Sequence, residues 1–374
     1  SPRLIMSYDK EYRKYGNEML RMGRVANAPN PNLRWEKTRD IKAALDFGLL
    51  DDRITGLVEG YYRKSKDVVT AVRVLSSTGF TQQGYNTSVI ENKGLEATLN
   101  FLIMDTKDVK VRLSGNIAWN RNKVLDYKSP NGYVDGNLCE GFPLNSIFVG
   151  KVEEIDPETG LYIFKLRPDA IINKGSDLHD ADNYLFYAGT KNAPYTGGFN
   201  LRCAYKNLSL SIGGTFVLDA KIREDLKSPA SYQALTGSGE SQQTYYNDLY
   251  RNHLNVKKDA TNRWTKTNRT GVKYPRIIDY HGEPLNLNYY NVTDTEVTRG
   301  VYLENVAFAR IRDITLGYTL PENVTRKLRI SSLSFALTLN NFFTFTNYSG
   351  IDPETPTTTY PLTRSVTFGL NLGF

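Results

Sequence analysis

Closely spaced carboxylates are the side chains in this sequence that most readily suggest catalysis. Glu153, Glu154, Asp156 and Glu158 lie within one short stretch. A pair of carboxyl groups about 5–10 Å apart across a sugar-sized cleft hydrolyses glycosides. The sequence Asp-Pro-Glu is, however, also an ordinary turn sequence. We therefore assign no catalytic residues and predict that the protein is not an enzyme.

The histidines and cysteines are too widely separated to indicate a metal site or a nucleophilic centre. His179, His253 and His281 each lack a neighbouring Cys or second His, whereas zinc sites and catalytic triads need such groups together. Cys139 falls in a predicted loop and Cys203 in a predicted strand, so a disulfide between them is not expected. We predict neither a metal nor a cofactor.

The end of the chain alternates without a break between apolar residues and small or polar ones. The apolar positions are Val366, Phe368, Leu370, Leu372 and Phe374. A strand with one apolar face and a terminal aromatic residue is typical of the closing strand of an outer-membrane β-barrel. We predict that Phe374, Leu372 and Leu370 form the signal read by the barrel-assembly machinery.

The composition fits strands that cross a membrane. Hydrophobic residues make up 40% of the chain, yet its mean hydropathy is −0.45, and no apolar run reaches the ~18 residues of a transmembrane helix. In a barrel, lipid-facing residues alternate with polar inward ones, which cancels any hydropathy signal. The 25 Tyr and 29 Gly agree, since Tyr populates interfacial girdles and Gly relieves crowding in curved strands.

The net charge of +7 and pI near 9.1 raise the question of nucleic-acid binding. Lys and Arg are scattered along the chain and do not cluster in one helix or stripe, which argues against a nucleic-acid partner. We expect basic loops to face lipopolysaccharide and the lipid of the outer membrane.

Further alternating segments predict the topology. Tight turns fall near positions 51, 106, 206 and 325, and long polar segments fall at about 66–86, 126–194, 221–300 and 346–362. Short turns on one side and long loops on the other are typical of a bacterial outer-membrane barrel, with the short turns periplasmic. We therefore predict an all-β fold, an antiparallel transmembrane β-barrel segment of about nine strands with long extracellular loops.

An odd number of strands has a consequence for closure. Single-chain bacterial barrels have an even number of strands, and an open edge in lipid leaves backbone groups unsatisfied. We expect that this chain does not close a barrel alone. It begins at Ser1 without an initiator Met or signal peptide, so we interpret it as the C-terminal piece of a longer protein that was cleaved, split or is incomplete here.

Several motifs occur in a fixed order from about residue 30 to the end of the chain. They are NPNLRWEKT (30–38), LDFG (45–48), YYRKSKD (61–67), ENKGLE (91–96), EGFP (140–143), DPETG (156–160), YTGGF (195–199), LEN with RDITLGY (303–305, 312–318), and NNFFTFT with GIDPE (340–346, 350–354). Each motif alone is common. Together they resemble the C-terminal half of SusC/RagA-like TonB-dependent outer-membrane transporters.

This resemblance implies a 22-stranded barrel whose plug domain, N-terminal strands and TonB box lie outside these residues. Residues 1–33 would form an extracellular loop segment, and residues 34–374 the C-terminal part of the receptor barrel. The implied partners are a SusD-like surface lipoprotein, TonB through the absent N-terminal part, and the remaining barrel and plug. Lys42, Arg112 and Arg202 on the inner face are expected to pair with carboxylates of the plug.

Aromatic residues on the long outer loops are the candidate ligand-binding side chains, because aromatic rings stack on sugar rings. The candidates are Tyr245, Tyr246, Tyr250, Trp264, Tyr289 and Tyr290. The alternative is that these side chains pack within their own loop or against the SusD-like lipoprotein, which would cover the outer face as a lid. The leading hypothesis is an importer of oligosaccharides working with a SusD-like lipoprotein. The alternatives are import of peptides, or a SusC-like barrel acting as a structural scaffold in a larger outer-membrane assembly.

Overall fold

The computed structural model describes residues 5–8, 13–15, 18–20, 23–27, 29–80, 82–127, 139–168, 183–223, 262–273, 303–356 and 360–374. Four short strands come first: β1 (Ile5–Tyr8), β2 (Arg13–Tyr15), β3 (Glu18–Leu20) and β4 (Gly23–Asn27). Strand β1 pairs with β4, and β2 pairs with β3, in two separate two-stranded sheets.

The next strands build one large sheet and the small sheets attached to it. They are β5 (Lys37–Leu49), β6 (Ile54–Arg73), β7 (Gln82–Asp105), β8 (Val109–Tyr127), β9 (Ser146–Val149), β10 (Val152–Ile155), β11 (Tyr162–Phe164), β12 (Phe186–Thr190), β13 (Tyr195–Tyr205), β14 (Leu208–Arg223), β15 (Leu303–Thr319), β16 (Ser332–Thr346) and β17 (Ser365–Gly373). A single helical turn, α1 (Glu322–Thr325), joins β15 to β16. Within the residues described, no helix is both long and apolar enough to span a membrane.

Nine long strands form the main sheet in the order β17-β16-β15-β14-β13-β8-β7-β6-β5. All neighbouring pairs are antiparallel. The strands contain 9 to 24 residues, and about 9–11 residues suffice for a tilted strand to cross a bilayer. The predicted nine-stranded antiparallel segment is therefore confirmed.

The sheet is open at both ends in the part of the chain that the structure describes. Strands β5 and β17 each have a neighbour on one side only. This confirms the expectation that the segment does not close on itself. In hydrocarbon each bare edge would leave backbone N–H and C=O groups unpaired, so both edges need further strands.

The register separates the residues of the main sheet into two faces. Leu45 on β5 lies opposite Val58, which in turn lies opposite Ala97 on β7, and the same alternation holds across the sheet. The apolar face bears two tyrosines on β13, Tyr195 at the loop end and Tyr205 at the turn end, 40% and 55% exposed. Aromatic residues at both ends of an apolar band are typical of the two interfaces of a membrane barrel. We therefore call the apolar face outward and the polar face inward.

Two reciprocal pairs of glycine and phenylalanine fix the packing between β13 and β14. Gly197 lies opposite Phe216, and Phe199 lies opposite Gly214. A Cβ atom at Gly197 would come within 2.3 Å of the Phe216 ring, and one at Gly214 within 2.5 Å of the Phe199 ring. Each ring therefore covers the opposite backbone, where only glycine leaves room.

The predicted long loop at 66–86 is wrong in its extent. Strands β6 and β7 continue to Arg73 and from Gln82, so only a short connection with a 3₁₀ turn at Ser76–Thr78 remains. The extended hairpin buries Val72, and the hydroxyls of Thr70 and Thr87 share a hydrogen bond of 2.5 Å. Likewise, part of the predicted loop at 126–194 forms β9 to β12.

Candidate functional site

The inward face of the sheet is a hydrophilic wall with its own ion pairs. Arg63 binds Asp40 across β5 and β6 at 2.7 Å, and Lys42 lies 3.4 Å from Glu59. These charged groups alternate with the outward apolar residues, so the same alternation that places the strands in lipid also provides a polar inner surface. Such a surface can face water, a polar cargo or another polar segment of the same protein.

Arg112 on β8 and Arg202 on β13 lie directly opposite each other on this wall. Like charges in opposing positions destabilise a sheet, and neither arginine forms an ion pair with any residue that the structure describes. Arg112 also lines a cavity of about 300 Å³ together with Asp52, Asn100 and Ser114. Of the three predicted plug contacts, Lys42 has a partner within the sheet, whereas both arginines remain available. Their pairing with the plug stays a prediction.

A buried ionic cluster fastens the segment after β16 to the loop end of β15. Arg310 donates to Asp352 at 2.5 Å and lies 3.0 Å from Glu354. Arg312 binds the second oxygen of Glu354 at 2.6 Å and also donates to the hydroxyl of Thr215 on β14 at 3.1 Å. Arg312 lies at a register shift between Ile311 and Asp313, and Glu354 is the carboxylate that both arginines contact.

Asp352 is the centre of this cluster. Burial by itself raises the pKa of its carboxyl group, but the N–H groups of Leu362 and Glu354 and the guanidinium of Arg310 outweigh that effect and lower the pKa below its usual value. The hydrogen bonds from Glu354 and Leu362 are each 3.0 Å long. Asp352 is therefore ionised at neutral pH. Its carboxylate binds the backbone at both Glu354 and Leu362 and so fixes the connection between β16 and β17 at two points.

Further contacts extend the attachment towards β15. Glu304 accepts hydrogen bonds from the backbone and the hydroxyl of Ser349, and Asn347 accepts from the N–H of Ala307 at 2.8 Å. Tyr348 packs into a small core with Val306, Phe308 and Ala220. The segment is thus a fixed part of the rim at the loop end of the sheet, and we call residues 347–354 the rim segment.

An aromatic cluster lies in the loop region between β8 and β13. Phe142, Phe148 and Tyr187 have ring centroids 5.0 to 5.8 Å apart. Burial raises the pKa of Tyr187, and the charge of nearby Arg121 opposes this shift. Tyr187 nevertheless keeps part of its ring exposed, so the cluster offers a partly open aromatic surface with a phenol group, suited to stacking and hydrogen bonding.

Trp264 lies in the core of a second loop unit. It is 8% exposed, and its indole N–H donates to the carbonyl of Pro157 at 3.0 Å. Tyr162 donates to the carbonyl of Lys273 at 3.4 Å, so residues 262–273 are packed against β11 and the turn before it. The role of Trp264 in ligand binding stays a prediction, and a ligand would reach little of its ring in this arrangement.

The acidic stretch near Asp156 forms a turn. Asp156 accepts hydrogen bonds from the hydroxyl of Thr159 at 2.6 Å and from the N–H of Glu158 at 2.9 Å. The bond from Thr159, followed by that from Glu158, lowers the pKa of Asp156. Among the described residues, no group of three or more His, Cys, Asp or Glu side chains could hold a metal ion, and Cys139 and Cys203 are free thiols.

The remaining predicted site residues divide into two groups. Tyr245, Tyr246, Tyr250, Tyr289 and Tyr290 lie outside the described residues, so their role stays a prediction. At the end of the chain, Leu370 lies opposite Phe335 and Leu372 opposite Leu333 on the outward face of β16. Phe374, just beyond β17, is 93% exposed. Its role in assembly also remains a prediction.

Sequence reasoning missed the ionic cluster and the aromatic cluster. The motifs at 312–318 and 350–354 pointed to the first of these, because they contain Arg312, Asp352 and Glu354, but nothing in their separation showed that they meet. The aromatic cluster combines Phe148 and Tyr187 from two strands with Phe142 from the connection before them, in a region predicted as loop, and no periodic pattern indicated it.

An open antiparallel sheet with an apolar outward face, a polar inward face and its long connections at one end defines a segment of an outer-membrane β-barrel. Known proteins narrow the class. A family model described as TonB dependent receptor-like, beta-barrel matches residues 3–150. The TonB-dependent receptor SusC of Bacteroides thetaiotaomicron is 27% identical over 371 residues, covering 92% of this chain and 32% of SusC.

Other relatives agree. TonB-dependent receptor P3 of Formosa agariphila is 22% identical over 415 residues, covering 99% of this chain and 37% of its own length. The structure of the RagAB peptide transporter matches with a TM-score of 0.77 and 23% identity, covering 100% of this chain and 38% of that chain. The chain therefore spans about a third of the length of the curated relatives it matches. Over most of its length the chain is similar to the barrel of SusC/RagA-like TonB-dependent receptors, which are outer-membrane transporters.

Proposed function

We propose that this chain forms part of the wall and outer rim of a TonB-dependent importer that takes nutrients across the outer membrane. The observation that best supports the proposal is the two-faced sheet, apolar outward and ion-paired inward, with the rim segment fixed at the loop end by Arg310, Asp352 and Glu354. A wall of this kind encloses a polar path. A fixed rim supplies a defined surface for recognition.

The whole protein would work with a SusD-like surface lipoprotein that covers the outer mouth and with TonB at the periplasmic side. The kinship with SusC and with the RagAB structures supports both partners. A plug segment elsewhere in the protein would occupy the inner surface. The unpaired Arg112 and Arg202 are suited to receive its carboxylates, because guanidinium groups bind carboxylates in bidentate fashion.

Oligosaccharides are the cargo that we propose. The partly open rings of Phe142, Phe148 and Tyr187 can stack on the apolar faces of sugar rings, while the phenol of Tyr187 can bond to hydroxyl groups at the ring edge. Tyr245, Tyr246, Tyr250, Tyr289 and Tyr290 would add further stacking positions from the longest loop.

Peptides are the rival cargo. The solved structures that match this chain include one described as the RagAB peptide importer in the open-open state, with a TM-score of 0.72. A peptide would draw on hydrogen-bonding groups and charges along the rim, whereas an oligosaccharide would depend on aromatic faces. The two cargoes therefore predict different sensitivities to substitution of the aromatic cluster.

The experiment is a binding measurement on the full-length receptor together with its lid lipoprotein. Isothermal titration calorimetry with an oligosaccharide library and a peptide library would be carried out on the native complex and on the Tyr187→Ala and Phe148→Ala variants. Loss of one aromatic contact should weaken oligosaccharide binding by about tenfold, since truncation of an important contact residue to Ala costs more than about 1 kcal/mol. Tyr360→Ala, an exposed aromatic outside the cluster, is the control.

Each result selects one hypothesis. Tight oligosaccharide binding that depends on the cluster supports the proposal. Tight peptide binding that does not depend on the aromatic cluster would identify peptides as the cargo and would still support an importer. Binding of neither class, together with growth unaffected when the TonB box is removed, would support the structural scaffold in place of the importer.

A further inference from the structure

The outward face of the main sheet carries a set of basic residues at its loop end. Three pairs of them lie directly opposite each other on neighbouring strands: Lys37 with Lys66, Arg39 with Lys64, and Lys93 with Arg121. We call these six residues the basic ladder. Lys123 extends it, and Glu91 on β7 lies opposite both Lys123 and Lys64.

The ladder lies on the lipid-facing side of the sheet. Arg39 is two residues from Ile41, Lys64 is two from Tyr62, and Arg121 is two from Trp119. Because side chains on a strand alternate between faces, each basic residue shares its face with the apolar neighbour two positions away. The outward face of β6 runs from Ile54 to Tyr62 before the first basic residue, about the length that crosses the hydrocarbon core. The ladder therefore begins where the apolar band ends.

Its charges are largely uncompensated within the described residues. Lys93 lies 3.7 Å from Glu91 and Lys37 lies 3.9 Å from Asp67, but no acidic partner lies within ion-pair distance of Arg39, Lys64, Lys66 or Arg121 among the residues that the structure describes. Glu91 also accepts a hydrogen bond from Tyr62, so one carboxylate serves several neighbours. Facing like charges destabilise a sheet, and an external anion would relieve this repulsion.

The inward face at the same height is different. Asp40 and Arg63 form an ion pair of 2.7 Å there, and Asn92 and Asn122 share a hydrogen bond of 2.6 Å. At this height, positive charge among the described residues is thus in excess on the side that faces the membrane. If this excess of positive charge came only from the basic composition of the chain, we would expect it on both faces at this height.

We propose that the basic ladder binds the phosphate groups of lipids in the outer leaflet. Lys and Arg form strong charge-assisted hydrogen bonds with phosphate. On the same face Tyr62 lies opposite Lys93 of the ladder, and Trp119 and Tyr195 lie opposite each other just beneath it, as expected for aromatic residues at the level of lipid headgroups. A lipid bound there would lay its acyl chains on the exposed side chains of Ile41, Leu45 and Leu95. This continuity with the apolar band favours a lipid over a protein partner. The proposed lipid site does not depend on which cargo the receptor imports.

The test compares lipid binding by the full-length receptor in detergent with that of two charge-matched variants. The ladder variant combines Arg39→Gln, Lys64→Gln and Arg121→Gln. The control variant combines Lys107→Gln, Lys206→Gln and Lys327→Gln at the short turns of the opposite end, and it removes the same charge. The probe is fluorescent lipid A bearing phosphate, with dephosphorylated lipid A and inorganic phosphate as comparison ligands.

The ladder variant should bind phosphorylated lipid A at least about tenfold more weakly, because each basic residue near an anionic lipid contributes about 1 kcal/mol. The control variant should bind like the native receptor. Dephosphorylated lipid A should bind the native receptor weakly, and inorganic phosphate should compete poorly because it lacks chains to lie on the apolar band. Higher salt should weaken the native affinity, as expected for screened charges.

Three results would overturn the proposal: equal affinity in the ladder and control variants, equal affinity for lipid A with and without phosphate, or displacement of the lipid by inorganic phosphate at similar concentration. Heat-modifiable gel mobility shows whether each variant is folded. If the triple ladder variant does not insert, Lys66→Gln and Arg121→Gln are tested singly. Each should then lower the affinity by about fivefold, and no change in either would also reject the site.

Discussion

Arg310 on β15 and Asp352 on the rim segment form an ion pair of 2.5 Å in which the two side chains are 3% and 4% exposed. A buried charge without its partner is strongly destabilising, whereas an exposed pair contributes little. This pair therefore helps to hold the connection between β16 and β17 on the rim, together with the contacts of Glu354 and Tyr348. Loss of either group leaves the other buried and uncompensated.

The first prediction concerns this pair. Arg310→Gln should release the rim segment at a cost of roughly 3–5 kcal/mol, the range found when one partner of a buried pair is removed. Hydrogen exchange of residues 347–354 should become fast while the strands stay protected. The control is Arg326→Gln, whose ion pair with Glu322 joins side chains that are 81% and 84% exposed, and which should change stability by less than about 1 kcal/mol. Equal effects of the two variants would contradict the assigned role.

The second prediction is a pH dependence of the same attachment. The pKa of Asp352 is lowered in the folded state, so its contribution is fully present above the unfolded value of ~3.9 and is lost as the pH falls through the lower folded value. Hydrogen exchange of the rim segment should accelerate only below about pH 4. Asp352→Asn should remove the dependence on this group, although Glu354 in the same cluster would still titrate. Release of the segment near neutral pH would show that another group controls it.

Residue alternation was sufficient to predict the architecture. The outward series from Val366 to Leu372, and those on β13 and β14, were recognised because one face of each strand meets lipid and must be apolar. The extension of β6 and β7 beyond the membrane was missed, because Val72 and Ser88 are buried there and such burial leaves no periodic signal in the sequence. The partners of Arg310 could not be predicted, since ion pairing between residues 42 positions apart depends on the tertiary path of the chain. The like-charge pairs of the basic ladder could be recognised only from the strand register in the structure.

The third prediction concerns the packing of glycine against phenylalanine between β13 and β14. Gly197→Ala should destabilise the barrel, because the added methyl group would lie 2.3 Å from the Phe216 ring and 2.3 Å from the carbonyl oxygen of Asn116. Overpacking of this kind costs about 1–3 kcal/mol. The measurement is the urea concentration at which the heat-modifiable gel shift is lost. Gly369→Ala is the matched control, since its methyl group would meet Ala336 only at 3.8 Å, and it should behave like the native protein.

The fourth prediction concerns assembly. Phe374→Ala should lower the amount of folded receptor in the outer membrane without lowering the stability of what is folded, because Phe374 is 93% exposed and loses no packing. Trp35→Ala removes an aromatic side chain that is 91% exposed and serves as the control. Membrane yield and heat-modifiable mobility report the two quantities separately. An unchanged yield for Phe374→Ala would show that Phe374 is not part of the assembly signal.

The fifth prediction places specificity in the outer loops. Lipid constrains the outward positions of the strands and inner contacts constrain the inward ones, so the loops are free to vary with the ligand. Trimming residues 240–290 from the full-length receptor should leave the barrel inserted while the affinity for cargo or for the lid lipoprotein falls by about tenfold or more.

A milder variant isolates one known contact of that loop. Trp264→Phe removes the hydrogen bond from the indole to Pro157, a loss of about 1 kcal/mol in a typical case, together with part of the buried ring. It should still weaken binding less than trimming does. Calorimetry with the native oligosaccharide or peptide, and separately with the lid lipoprotein, compares the three proteins. If both affinities are unchanged by the trimming, residues 240–290 recognise neither the cargo nor the lid lipoprotein. The scaffold hypothesis would then gain support, because this loop would be available to bind another partner.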